Sequence, residues 1–83
     1  MSDDKLAARR ERRGVLLRAL YDQVDSSVSA FVDGFELGET LGLDRAETTR
    51  ILEYLAEKGL IKVDDYTTGQ IRLTAAGVDY VGG

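Results

Sequence analysis

The residues best equipped for chemistry are cationic and lie near the start of the chain. Lys5, Arg9, Arg10, Arg12, Arg13 and Arg18 share the stretch from 5 to 18 with a single carboxylate, Glu11. A guanidinium presents a planar fork of N–H donors that matches phosphate and carboxylate oxygens, so the chemistry such a cluster supports is the binding of an anionic surface. It suits a basic arm laid on phosphates, a tail docked on the acidic face of a partner subunit, or a solvated helix extension whose arginines keep the chain in solution. The rest of the chain is acidic. The net charge is -4 with a pI near 4.7, whereas a dedicated nucleic-acid binder usually has a basic average.

Catalytic chemistry finds little footing. Cysteine and histidine are both absent, which removes disulfides, thiolate nucleophiles, zinc clusters and the usual general base. Ser26, Ser27 and Ser29 have no histidine to activate them. Asp64 and Asp65 are too few ligands for calcium or magnesium. The expectation is a protein without enzymatic activity, cofactor or metal. Tyr21, Tyr54, Tyr66 and Tyr80 are spaced as amphipathic core-edge residues rather than as a base-stacking platform. The apolar runs are far short of a membrane span, and MSDDKLAARRERR lacks the apolar centre of a signal peptide, so a cytoplasmic protein is expected.

With 83 residues, 43% of them apolar, the chain has room for one domain around one core. The elements that position the cations are organised around 33–61. Leu37 and Leu41 stand one helical turn apart, and Gly38 beside them has no side chain to hold a second helix away. Gly42 allows a sharp left-handed turn, with Leu43 dropping into the core beneath it. Asp44 caps the next helix, with Glu47 at capping-box spacing. Thr48, Ile51, Leu52 and Leu55 then form one buried stripe, and Arg45, Ala46, Glu47, Thr49, Arg50, Glu53 and Tyr54 lie outside or at its margins.

A helix from about Leu6 to Val24 comes earlier, with Leu16, Leu17, Leu20, Tyr21 and Val24 as its core face. Gly14 divides it into a packed half from Val15 and a less stable basic extension, Lys5 to Arg13, after a frayed start at 1–4. Asp25, Ser26 and Ser27 end it by turn chemistry. The loose alternation over Val28 to Val32 fits a short strand before Asp33, which caps a helix with Glu36 at capping-box spacing. Gly59 and Leu60 suit a Schellman stop after Lys58. Ile61 and Val63, then Ile71 and Leu73, alternate as two strands of a hairpin joined through Asp64 to Gly69. Thr74 caps a last short helix with Val78 and Val81 inward and Tyr80 at its edge.

Three motifs in this order resemble the winged helix-turn-helix family of bacterial and archaeal transcription regulators. They are Leu37-Gly38-x-x-x-Gly42-x-Asp44, then Ile51-Leu52-x-x-Leu55-x-x-Lys58-Gly59-Leu60-Ile61, then Ile71-x-Leu73-Thr74-x-x-Gly77-x-x-Tyr80. The resemblance implies an α+β fold: a three-helix core, a two-stranded β-hairpin wing, a short third strand as an option, and a short C-terminal helix. Residues 15–83 would form this winged-helix domain and 1–14 a basic N-terminal arm or helix extension.

By the same resemblance, helix 44–58 enters the major groove of double-stranded DNA for transcription regulation. Arg45, Thr49 and Arg50 are then the groove-facing donors, with Tyr54 lower on that side and Arg9, Arg10, Arg12 and Arg13 adding backbone affinity. The chain departs from the family in holding Asp44, Glu47, Glu53 and Glu57 on that helix and Asp64 and Asp65 on the wing, since acidic groups facing phosphates forfeit counterion release. That acidity fits the alternative, a winged helix used as a protein-interaction or adaptor module.

Glu47 and Glu53 stand three residues either side of Arg50, a spacing for ion pairs, whereas Arg45 has no carboxylate at helical spacing and is the freer of the two. Thr48 takes a buried position where the family generally has valine or isoleucine, its hydroxyl free to bond the carbonyl of Asp44. A homodimer through Leu6, Leu16, Leu17 and Leu20 competes with the need of the monomer core for the same leucines.

Overall fold

The structure, a computed structural model, describes residues 2–25 and 28–82, with the side chains of 2–4 outside the description. The turn expected at Ser26 and Ser27, the chain start at Met1 and the final Gly83 lie outside the described residues. The element order is α1 (Ser2–Val24), β1 (Val32–Asp33), α2 (Gly34–Thr40), α3 (Arg45–Glu57), β2 (Ile61–Asp65), β3 (Gln70–Leu73) and α4 (Ala75–Gly82). Helices α1, α2 and α3 make the core, and the strands form an antiparallel sheet in the order β1-β3-β2. This is the winged helix-turn-helix arrangement.

The helix-turn-helix forms for the reasons its residues dictate. The Asp33 carboxylate accepts from the Phe35 and Glu36 amides at 3.0 and 3.1 Å, and the Asp44 carboxylate accepts from the Glu47 amide at 2.7 Å. Each cap satisfies amides that the first turn of a helix leaves without partners. Gly42 takes a φ of 79° and Gly59 one of 75°, and both turns close as Schellman motifs. In the first, the Leu43 amide donates to the Gly38 carbonyl at 2.9 Å; in the second, the Leu60 amide donates to the Leu55 carbonyl at 3.0 Å. Leu43 ends half-buried at the rim of the core rather than within it. Thr48 is buried, and its hydroxyl donates to the Asp44 carbonyl at 2.8 Å.

The core gathers Leu16, Leu17, Leu20 and Val24 of α1, Leu37 of α2, Ile51, Leu52 and Leu55 of α3, and Val32, Ile61, Ile71 and Leu73 of the sheet. Leu16, Leu17 and Leu20 are thereby spent inside the monomer, and of the four leucines weighed for a dimer Leu6 alone is exposed.

Three local expectations are revised. First, α1 begins at Ser2 rather than at about Leu6; it is one helix across Gly14, in keeping with the expected span to Val24. Arg13, beside Gly14, lies over Tyr54 of α3, and Leu16 and Leu17 on the other side join the core. A Cβ built at Gly14 meets nothing within 4 Å. Gly14→Ala is therefore expected to stabilise the fold by about 1 kcal/mol, read as a higher urea midpoint with an unchanged slope. Second, the extra strand is Val32–Asp33 rather than 28–32, because Asp33 both pairs with Gln70 and caps α2, ending the strand. Third, Asp64 and Asp65 belong to β2, so the hairpin connection shortens to Tyr66–Gly69. Asp65 makes the turn itself: its carboxylate accepts from the Thr67 amide at 2.8 Å, and its carbonyl accepts from the Gly69 amide at 2.8 Å.

Candidate functional site

The basic half of α1 lies alongside α3 instead of projecting from the domain. Two contacts fix it there. The Arg12 guanidinium pairs with the Glu47 carboxylate, and the Arg13 guanidinium lies over the Tyr54 ring, 3.9 Å from its centroid. Partly exposed contacts of these kinds contribute about 1 kcal/mol each at most, so they set an arrangement more than they stabilise it. Tyr54, expected with the groove-facing donors, is the platform under Arg13 on the flank of α3 that meets α1.

Between the two helices runs an open groove of about 730 Å³. Lys5, Arg9, Arg12 and Arg13 reach it from α1, and Arg50 with Glu47, Glu53 and Glu57 from α3. Among the described residues cations outnumber carboxylates along this groove, although the whole chain is acidic. Arg10 turns to the other side of α1. Four of the seven arginines and threonines singled out from sequence, Arg9, Arg12, Arg13 and Arg50, are thus brought together.

Arg45 and Thr49 are held elsewhere. Arg45 lies over the Phe35 ring, 4.0 Å from its centroid, and donates to the Thr67 carbonyl at 3.2 Å. Phe35 in turn sits where a side chain at Gly69 would go, 2.5 Å from the Cβ built there, and the Gly34 amide donates to the Gly69 carbonyl at 2.7 Å. Arg45 is therefore a clasp between the start of α3 and the tip of the hairpin. Thr49 is half-buried and turns its hydroxyl back to the Arg45 carbonyl at 2.8 Å.

The expected order of freedom between the two α3 arginines is reversed. Among the described residues Arg50 makes no ion pair, whereas Arg45 is engaged by ring and carbonyl. Spacing along α3 could not reveal this, because Glu47 is claimed by Arg12, thirty-five positions away. The acidity of the hairpin also has local partners: Asp64 pairs with Arg72 at 3.6 Å, and Asp65 is used by the turn.

Sequence reasoning missed Lys5 as a groove residue and Lys58 as a second cation beside Tyr54, 5.6 Å from the ring centroid. The signal for α1 was present: positions 5, 9 and 12 share one helical face. Among the described residues there is no group of His, Cys, Asp and Glu able to hold a metal ion, and no helix is long and apolar enough to cross a membrane. No protein-family model, curated protein or solved structure matches the chain.

Proposed function

We propose that this domain binds double-stranded DNA as a transcription regulator, with the groove between α1 and α3 on the phosphate backbone and α3 in the major groove. One observation carries the reading. The cations of α1 border the outward face of α3: Arg12 neutralises Glu47, and Arg9 stands with Arg50 in the groove that Glu53 and Glu57 also line, where a polyanion would approach. Arg50 takes the reading role because it is exposed and without an ion-pair partner among the described residues. Arg45 acts by holding the wing tip.

The test is fluorescence anisotropy with a generic labelled duplex across a salt series. Arg9→Ala combined with Arg50→Ala is expected to weaken binding about tenfold and to reduce the salt slope by about 1, the share of the Arg9 phosphate contact. Unchanged affinity and slope in that double variant would reject the assignment.

A second reading, an adaptor that meets a basic protein partner, is favoured by Glu53 and Glu57, both exposed and without ion pairs among the described residues. Absence of any duplex binding at low salt would select it, since even the sequence-independent electrostatic contribution would then be missing.

A further inference from the structure

A second groove, of about 490 Å³, lies on the other side of the Arg13–Tyr54 stack. Arg10, Arg13, Gly14 and Leu17 reach it from a single face of α1, at the spacing i, i+3, i+4, i+7. The end of α3 contributes Tyr54 and Lys58, and α4 contributes Tyr80.

Its charge is unlike that of the molecule. Among the described residues three cations and no carboxylate line it, in a chain whose net charge is -4. Among the described residues none of Arg10, Arg13 and Lys58 has an ion-pair partner. Arg13 and Lys58 even approach the same ring, 3.9 and 5.6 Å from the Tyr54 centroid. Like charges gathered in this way repel, and a bound anion removes the repulsion.

Its floor is apolar, formed by Leu17, Leu55 and Leu60. Gly14 keeps that floor open, since the space where its Cβ would lie is empty, even though glycine is the less stable choice within a helix. The volume falls in the range of small-molecule sites, roughly 300–1,000 Å³.

We propose that this groove binds a small carboxylate with an apolar body. Arg10, Arg13 and Lys58 hold the carboxylate, and the hydrocarbon or ring lies on the leucines beside Tyr80. A singly charged head suits a half-apolar groove, because a more highly charged phosphate loses more hydration on entering. Such a ligand touches α1, α3 and α4 together, and so ties the basic half of α1 to the end of α3.

Carboxylate binding in this groove does not depend on DNA binding and is tested without nucleic acid. The isotopically labelled chain is titrated by NMR at constant ionic strength with benzoate and with octanoate. Benzamide serves as the neutral ring and inorganic phosphate as the bare anion. Saturable amide shifts at 10–17, 54–60 and 80 are expected with at least one of the two carboxylates, and binding at least tenfold weaker with benzamide and with phosphate.

Arg13→Gln and Lys58→Gln are each expected to weaken binding about tenfold, the scale of one hydrogen bond to a charged group. Gly14→Leu is expected to abolish binding while the melting temperature holds or rises, which separates a blocked groove from a misfolded chain. Absence of saturable shifts with both carboxylates, an equal response to phosphate or benzamide, or undiminished binding by Gly14→Leu would each overturn the proposal.

Discussion

Gly77→Ala is expected to lower the free energy of unfolding by about 3 kcal/mol, the upper end of the usual cost of overpacking. Gly77 is buried in α4, and a Cβ built on it falls onto the carbonyl oxygen of Leu60 and within 2.7 Å of Leu73 Cδ1. The Leu60 carbonyl cannot retreat. It accepts from the Thr74 amide at 3.2 Å, and the Leu60 amide is bound into the Schellman turn that ends α3. The Thr74 hydroxyl adds a bond to the Gly59 carbonyl at 2.6 Å and accepts from the Gly77 amide at 3.0 Å.

The added methyl therefore has to lift α4 from the domain. A domain of this size is stable by about 4–12 kcal/mol, so a large part of the total is at stake. Urea unfolding checks it, with Ala76→Gly as the exposed neighbour that is expected to lose only the propensity difference of about 1 kcal/mol. A Gly77→Ala protein within 1 kcal/mol of wild type would show that α4 has slack this packing denies it.

The second large effect lies at the crossing of α2 and α3. Gly38 is buried against Thr48, and a Cβ at Gly38 falls onto the Thr48 hydroxyl oxygen and 2.8 Å from its methyl. Thr48 is β-branched, fully buried and bonded to the Asp44 carbonyl, so its side chain has no alternative rotamer at low cost. Gly38→Ala should cost about 2–3 kcal/mol.

Thr48→Ala alone should cost about 1–2 kcal/mol through a lost hydroxyl bond and a small void. It leaves no orphaned acceptor, because the Asp44 carbonyl still receives the Thr48 amide at 2.9 Å. In the double variant the new methyl enters the space that the old side chain leaves. The two effects should then fall short of additive by about 1–2 kcal/mol, as expected of residues in direct contact. Strict additivity in the double-mutant cycle would mean that the two side chains do not share this space.

These two glycines mark how much of the molecule was legible beforehand. Gly38 was readable as a crossing point because leucines one turn apart leave it on the inner face of α2. Asp33, Asp44, Gly42 and Gly59 were readable because caps and left-handed turns depend on residues within a few positions of one another. Gly77 stood in a motif, but its reason, the Leu60 carbonyl, lies across the fold.

The site was less legible for the same physical reason. The arginines of α1 read as a basic arm or helix extension, since a glycine at 14 lowers the local preference for helix. Contact with α3 supplies what the local sequence lacks. Once α1 is continuous, 9 and 12 face one groove and 10, 13, 14 and 17 another. Arg45 and Arg50 exchanged roles because i, i+3 spacing sees only neighbours on the same helix, and the deciding partners, Arg12, Phe35 and Thr67, come from elsewhere.

The sheet order gives the acidic hairpin a further meaning. Among the described residues β2 pairs with β3 alone, so its far side presents backbone donors and acceptors that a strand from another molecule could complete. Lys62, Asp64 and Asp65 are exposed along that strand, and an irregularity in register between Val63 and Asp65 interrupts its flatness. Charge and a bulge on an open edge are what discourage one sheet from extending into the next. β1, at the opposite edge, is only two residues long and offers little to copy. Solutions of the domain at high concentration are therefore expected to resist edge-to-edge sheet extension better than an Asp64→Val, Asp65→Val variant, a difference that light scattering would read.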